Sequence, residues 1–246
     1  MGRKPKEADA AQKPSAALTG KANLARFALW VVGDTPLIVH AWSEKSRREM
    51  LAKQVKAVQA AKEARSPQED FLHSLYEMGD GNYGFPVTGL KNAMLAGAHV
   101  DKGIAKTVAR AALWFDADMV RVRPAIAGAI CDMPLVRIYS DPPEMREDMV
   151  RVGKGLNKTA SLAYRGQFTI WAIRVTGRVN LDIVPAETMT FLINEAGFAC
   201  GIGEWRNEKN GMFGAFHCAD DLETKAWDAY AAGRGKLPKP RMQEAA

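Results

Sequence analysis

The chain has 246 residues, 47% of them hydrophobic, and a formal net charge of +6. This is enough apolar material for a sizeable core, but no apolar run approaches the roughly 18 residues that a membrane span needs. Residues 1–21 are rich in Lys, Ala and Pro and lack the apolar segment of a secretory signal. We therefore expect a cytoplasmic protein.

Cysteine and histidine spacing argues against a metal site. Cys131, Cys200 and Cys218 are scattered and form no Cys-x-x-Cys pair, which is untypical of disulfide scaffolds and zinc knuckles. The four histidines show neither His-x-x-x-His nor His-Glu-x-x-His spacing. We expect neither a metal nor a cofactor.

The positive charge is concentrated at the two ends of the chain. Residues 1–26 carry +4 and residues 233–246 carry +3, which leaves residues 27–232 at −1. The ends are Lys-rich and of low hydrophobicity, so we expect flexible basic tails at 1–21 and 233–246. Between them we expect a single domain over 22–232, with insertions at about 43–84 and 140–166.

The first predicted elements are two strands and two helices. Short apolar runs within 22–41 are separated by a Gly33–Pro36 turn, which is typical of buried strands. A helix is expected from Ser43 to about Arg65. The sequence Ser66-Pro67-Gln68-Glu69 is a capping box with proline at the first helical position, and it predicts the start of a second helix.

The stretch Phe85–Met94 contains the first functional candidates. It reads Phe-Pro-Val-Thr-Gly-Leu-Lys-Asn-Ala-Met, and Thr88 is a plausible helix cap. Lys91 would lie near the N-terminus of that helix, where the dipole disfavours a cation unless an anion is bound as well. A glycine and a lysine at a helix start therefore indicate phosphate binding, with a plain surface lysine as the alternative.

Further strands are expected at Thr107–Arg123 and Leu135–Tyr139. The segment Ser140–Gly166 has several prolines and glycines and is expected to be either a functional loop or a hairpin, with a short helical turn at Met145–Met149. No acid occurs from Met149 to Leu181, a window that holds six cations: Arg151, Lys154, Lys158, Arg165, Arg174 and Arg178. Such a window suits a phosphate backbone held by sequence-independent contacts, although a solvated basic face would look the same.

The C-terminal third predicts a strand, a helix, a glycine loop and a strand. Gln167–Asn180 alternates like a strand, and the helix that starts at Pro185 has apolar residues at helical spacing and a stop at Gly197. The loop Gly201–Cys218 follows, with glycines at 201, 203, 211 and 214 around Trp205, Arg206 and Lys209. Its N–H groups could contact a phosphate, or the loop could simply connect the helix to the following strand.

The order strand–helix–loop–strand is half of a ferredoxin-like unit, and earlier elements could supply the other half. We therefore predict an α+β fold: a modified ferredoxin-like (RRM-like) antiparallel sheet with helices on one face and a long inserted hairpin or loop.

Two motifs resemble the RAMP superfamily, whose ferredoxin-like members form backbone and processing subunits of CRISPR effector complexes. Pro86, Gly89, Leu90 and Lys91 match its first motif, and Gly201, Gly203, Gly211 and Gly214 match its C-terminal glycine loop. The resemblance implies that these elements lie near bound RNA. It also suggests a relative encoded by a phage or mobile element.

Our hypothesis is a protein that binds single-stranded nucleic acid, with RNA favoured over DNA, and assembles along it. We expect it to be either a homo-oligomer or a subunit of a ribonucleoprotein. The residues predicted to contact phosphates or bases are Lys91, Arg151, Lys154, Lys158, Arg165, Trp205, Arg206 and Lys209, and the backbone glycines are Gly89, Gly201, Gly203, Gly211 and Gly214. Two alternatives stay open. One is a metal-independent RAMP-like endoribonuclease that uses His40, His99 or His217 as a base, and the other is a phage structural or scaffold protein without a nucleic-acid role.

Overall fold

The structure is a computed structural model. It describes residues 22–42, 44–55, 66–79, 81–100, 104–122, 131–153 and 159–239. The strands are β1 (Leu24–Gly33), β2 (Leu37–Val39), β3 (Tyr83–Pro86), β4 (Leu113–Phe115), β5 (Asp118–Val120), β6 (Met133–Ser140), β7 (Glu144–Val152), β8 (Thr159–Phe168), β9 (Trp171–Asn180) and β10 (Phe216–Cys218). The helices are α1 (Glu44–Gln54), α2 (Pro67–Ser74), α3 (Val87–Val100), α4 (Lys106–Ala112), α5 (Ala186–Glu195) and α6 (Asp221–Ala231).

The main sheet is antiparallel, with the strand order β10-β1-β9-β6-β3. Two short strands extend it, since β4 pairs with β9 and β5 pairs with β6. The succession β1-α3-β6-β9-α5-β10 is a βαββαβ unit, and its strands lie in the order of a ferredoxin-like sheet. The predicted α+β, ferredoxin-like fold is confirmed by this topology.

The core lies between one face of the main sheet and helices α3 and α5. Along β9, Ile173, Val175 and Val179 are buried while Arg174 and Arg178 are exposed, as the period-two geometry of a strand requires. Leu90 and Met94 of α3 and Leu192 and Ile193 of α5 belong to the same buried cluster. Helix α6 departs from the one-sided arrangement, because its Trp227 packs on the opposite face of the sheet against Trp30.

The predicted insertion at 140–166 is a β-hairpin of β7 and β8, which pair from Glu144↔Gln167 to Val152↔Thr159. The expected helical turn at Met145–Met149 is wrong, because those residues belong to β7 and their backbone groups pair with β8. The hairpin base joins β2 in a second, three-stranded sheet, and α2 packs on it, where Gly166 N–H donates to Ser74 Oγ at 2.8 Å.

Three other local predictions need correction. Lys106–Ala112 is helix α4 and not strand, because Ala109 and Ala112 bury a helical face; strand structure begins only at Leu113. The helical stop is Gly201, with φ 72°, and not Gly197, which lies inside a π-helical turn at Ala196–Cys200.

Helix α3 begins at Val87, so Thr88 is its second residue and not its cap. The Ser66 cap is confirmed, since its Oγ accepts from Glu69 N–H. The predicted helix from Ser43 to Arg65 is described over Glu44–Gln54, and its remainder lies outside the described residues. In the parts of the chain that the structure describes, no helix is long and apolar enough to cross a bilayer.

Candidate nucleic-acid interface

The two predicted motifs, which are more than a hundred residues apart in the sequence, meet at one cavity. The cavity has a volume of about 420 Å³, and we call it the motif cavity. It is lined from the first motif by Phe85, Pro86, Thr88, Gly89, Asn92 and Ala93, from the glycine loop by Gly201, Ile202, Gly203, Glu204, Arg206 and Glu208, and from elsewhere by His40, Tyr76 and Cys200.

The first turn of α3 forms one wall of the motif cavity. Thr88 is exposed, and this turn contains no acidic residue. Gly89 packs closely on Phe85, because a Cβ at this position would lie 2.9 Å from the Phe85 ring. Lys91 is not among the lining residues: its Nζ donates to the carbonyl of Leu113 at 2.8 Å and so ties α3 to β4.

The glycine loop forms the opposite wall, and its glycines permit close backbone approach. A Cβ on Gly211 would lie 1.6 Å from the carbonyl oxygen of Trp205, and one on Gly214 would lie 1.8 Å from that of Ile202. The N–H groups of Gly201, Gly211 and Gly214 donate to Ala196, Arg206 and Pro36. Packing therefore explains these glycines, and their contact with a phosphate stays a prediction.

Carboxylates in the motif cavity are matched by nearby cations. Arg206 donates to Glu208 Oε2 from Nη2 at 2.6 Å and to the Gly203 carbonyl from Nη1 at 3.0 Å. Glu204 lies 3.7 Å from His40 Nδ1. The neighbouring His40, followed by the charges of Arg165 and Arg206, lowers the pKa of Glu204 below its usual range, so this carboxylate stays ionised.

The thiol of Cys200 also lines the motif cavity. Burial, and then the charge of Glu208, raises its pKa. A raised pKa keeps the sulfur protonated near neutral pH, so Cys200 is unsuited to act as a nucleophile.

Two predicted phosphate ligands of the hairpin have different surroundings. Arg165 on β8 is buried, and its Nη1 lies 3.4 Å from Asp148 Oδ2 on β7. The same carboxylate accepts from Arg146 Nε at 2.9 Å. Arg151, by contrast, is exposed on β7. Lys154 and Lys158 lie outside the described residues.

The remaining predicted contacts lie on the outer side of the glycine loop. Lys209 is exposed in a short 3-10 turn at Asn207–Lys209. The side chain of Trp205 is 39% exposed, and its φ of 53° is unusual for a residue with a Cβ. Both residues are accessible to a ligand, and their binding roles stay predictions.

The three candidate histidines occupy different environments. His40 faces the motif cavity beside Glu204. His217 is held between two carboxylates, with Nδ1 at 2.7 Å from Asp34 and Nε2 at 3.0 Å from Glu223. It does not line the motif cavity. The side chain of His99 lies outside the described residues.

Sequence reasoning missed the cluster of Asp148 with Arg146 and Arg165. It also missed the stacking of the Arg146 guanidinium 4.5 Å from the ring of Phe213, by which the hairpin base contacts the glycine loop. The pairing Arg146↔Arg165 is set by the hairpin register, and an irregular loop interpretation of 140–166 could not reveal it. Within the described ranges, no group of three or more His, Cys, Asp or Glu side chains is arranged to hold a metal ion.

A scan against models of protein families finds no match, and a search of curated proteins finds none either. Among solved structures, the chain is similar to the crystal structure of Cmr6 from Pyrococcus furiosus. The match covers 80% of this chain and 99% of that chain, with 12% sequence identity and a TM-score of 0.35. The strand order given above, and not this likeness, assigns the ferredoxin-like fold.

Proposed function

We propose that this protein binds single-stranded nucleic acid, with RNA favoured over DNA, by contacts that follow the phosphate backbone, and that copies assemble along the strand. One observation carries the proposal: the first turn of α3 and the glycine loop, predicted separately as phosphate-binding elements, line the same motif cavity. Arg151 and Lys209, both exposed, are the phosphate contacts proposed on the hairpin and the loop.

A helix start on the cavity wall favours an anion for a physical reason. The first N–H groups of α3 have no partner within the helix, and the helix dipole places partial positive charge there. No acidic side chain occupies this turn. A phosphate oxygen near Thr88 and Gly89 would satisfy these donors.

The acidic residues of the motif cavity do not cancel this preference. Glu208 is paired with Arg206, and Glu204 is balanced by Arg165 and Arg206. The local charge near these carboxylates is thus close to neutral, and the helix start contributes the remaining field. A phosphate would enter from the open side, where His40 and Thr88 are exposed.

Replacing Thr88 by Asp tests the proposal without weakening the fold. A carboxylate in the first helical turn favours α3 itself, but it would repel a phosphate at short range by about 1–4 kcal/mol. We expect Thr88→Asp to lower the affinity for a fluorescein-labelled oligouridylate by about tenfold or more. Fluorescence anisotropy over a series of salt concentrations measures this affinity.

Thr88→Asn is the matched control, because asparagine has the shape of aspartate without its charge. This variant should bind RNA like the wild type. Equal affinities for Thr88→Asp and Thr88→Asn would contradict the cavity as the phosphate site. A wild-type affinity that does not change with salt would contradict phosphate contacts altogether, because counterion release accompanies them.

The endoribonuclease alternative has one observation in its favour. His40 lines the motif cavity, and Glu204 lies 3.7 Å from its Nδ1, so that a small approach would let the carboxylate orient the ring of a general base. Cleavage of labelled RNA in the presence of a chelator, lost in His40→Ala and retained in His217→Gln, would support it. Intact RNA after prolonged incubation would exclude it.

A further inference from the structure

Apart from the motif cavity, the part of the main sheet that α6 leaves uncovered on its own side carries a concentrated positive charge. Four arginines and one tryptophan define what we call the arginine face: Arg26 on β1, Arg137 on β6, Arg174 and Arg178 on β9, and Trp114 on β4. All five side chains are exposed. The face lies opposite the one that α3 and α5 cover.

Strand register brings these residues together although they are far apart in the sequence. Arg26 is directly opposite Arg178, and Trp114 is opposite Arg178 on its other side. Cross-strand neighbours of this kind have Cβ atoms about 5 Å apart. Arg174 shares the face with Arg178, about 13 Å along the same strand.

Arg137 adjoins the same patch from β6. Its neighbour Ile138 pairs with Ile173, so Arg137 and Arg174 occupy the next register position on the same face. The patch therefore includes residues of four strands, and it borders the part of this face where α6 packs on Trp30. Beyond Arg137 it opens into a groove of about 550 Å³ that is also lined by Tyr139 and Tyr230.

Within the described part of the chain, none of the four arginines of the arginine face makes an ion pair within 4.0 Å. Asp228 of α6 lies on the same side of the sheet, where its carboxylate accepts from Nε1 of Trp30, the cross-strand partner of Arg174. Asp116 and Asp118 are exposed nearby at the rim, at the ends of β4 and β5. Like charges directly opposite each other in a sheet, as Arg26 and Arg178 are, reduce stability, so an anionic ligand would relieve a cost that the fold itself leaves in place.

Trp114 adds a second kind of contact. Its side chain is 60% exposed, although burial of an indole would be favourable. The guanidinium of Arg178 lies 5.7 Å from the centre of its ring and restricts its orientation. An exposed, oriented aromatic ring among arginines can stack on a base while the arginines contact phosphates, which is how sheet surfaces and grooves hold single strands.

We propose that the arginine face is a second contact surface for single-stranded nucleic acid, where Trp114 stacks on a base and Arg26, Arg174 and Arg178 contact phosphates. The inference rests on the proposed function and adds a surface that is separate from the motif cavity. A single strand fits better than a duplex, because only unpaired bases expose a face for stacking. It fits better than an acidic protein, because every nucleotide carries both a phosphate for the arginines and a flat ring for Trp114.

The test compares two charge-matched triple variants and one aromatic variant. Arg26→Gln/Arg174→Gln/Arg178→Gln changes the arginine face, whereas Lys53→Gln/Lys106→Gln/Arg110→Gln removes the same charge from exposed positions on α1 and α4. Binding of fluorescein-labelled oligouridylate, and of oligothymidylate of the same length, is measured over a salt series. Thermal melting checks that each variant folds.

We expect the face variant to bind more weakly than the control variant. The slope of log affinity against log salt should be less steep by about 2, because three phosphate contacts are lost and each contributes about 0.7. Trp114→Ala should weaken binding about 5- to 100-fold with an unchanged slope, because stacking releases no ions. Photocrosslinking of 4-thiouridine RNA to the wild-type protein should label the Trp114 peptide, and this readout needs no variant.

Equal slopes and affinities for the face and control variants, with Thr88→Asp still impaired, would overturn the arginine face and leave the proposed function standing. Failure of the wild-type protein to bind either homopolymer would overturn both. If the face variant lost binding only to vesicles containing phosphatidylserine, the occupant would be a membrane and the inference would be wrong.

Discussion

His217 is an example of one side chain that holds three elements together. Its ring joins Asp34, in the turn after β1, to Glu223 in the first turn of α6, while its own backbone lies in β10. Glu223 also completes the capping box of α6 with Asp220. The hydrogen bond with Asp34, and then the charges of Asp34 and Glu223, raises the pKa of His217 above its ordinary value.

This raised pKa predicts a pH-dependent contribution to stability. A histidine whose folded-state pKa is raised stabilises fully below its unfolded pKa of about 6.5, and the contribution is lost as the pH rises through the folded-state pKa. We expect His217→Asn to lower the free energy of unfolding by about 1.5–3 kcal/mol at acidic pH, the range for hydrogen bonds to charged groups. Urea unfolding at several pH values measures the difference.

The difference between His217→Asn and wild type should become smaller as the pH rises. A constant difference across the pH range would contradict a charged imidazole between the two carboxylates. His40→Asn is a suitable control, because His40 is exposed and its ion pair with Glu204, at 3.7 Å, is long. Its effect on stability should be small at every pH.

The packing of α3 against the π-helical turn depends on Gly97. A Cβ at this position would lie 2.7 Å from the backbone nitrogen and 2.9 Å from the Cα of Ala196. The turn leads directly to Cys200 and Gly201 on the cavity wall. The approach of these two elements therefore positions the two walls of the motif cavity relative to each other.

Gly97→Ala should destabilise the protein, although helix propensity alone predicts the opposite sign. Alanine within a helix is normally favoured over glycine by about 0.5–1 kcal/mol, whereas overpacking against a backbone costs about 1–3 kcal/mol. We expect a lower melting temperature and weaker oligouridylate binding, because α3 must move away from Ala196. A variant as stable as the wild type, or more stable, would show that the two elements can separate freely.

Elements with a local signal could be predicted from the sequence, and contacts set by register could not. The alternation in β9, the helical spacing in α5 and the helix cap at Ser66 are all readable within ten residues. The two motifs predicted to bind phosphate were also visible. Their meeting at one cavity depends on tertiary packing, as does the hydrogen bond from Lys91 to Leu113.

The cationic side chains illustrate the same limit. The acid-free window drew attention to Arg165 and Arg174 alike, yet Arg165 is buried beside Asp148 and Arg174 is exposed on β9. Asp148 lies just before the window begins. A count of charges along the chain cannot distinguish the two arginines, because the distinction arises from which strand each one pairs with.

At the scale of the whole molecule, the proposed function requires that neighbouring copies contact each other along a strand. The β7–β8 hairpin offers such a surface. Strand β7 is the edge of its sheet, and unpaired edge strands readily associate with other chains. Met149 and Leu162, which are cross-strand partners, are 66% and 46% exposed, so the hairpin carries an apolar pair in solvent.

We therefore expect Met149→Glu/Leu162→Glu to reduce the number of copies bound to a long oligouridylate while the affinity for a short one stays the same. Two carboxylates would have to lose water on burial between copies, which is unfavourable without a cationic partner, whereas a single bound copy does not bury this surface. Sedimentation velocity with oligouridylates of increasing length measures the number of copies on each strand.

Ile183→Glu, at an exposed apolar position outside the hairpin, is the control. An unchanged copy number in the hairpin variant, or a single copy of the wild type on every length, would contradict assembly through the hairpin.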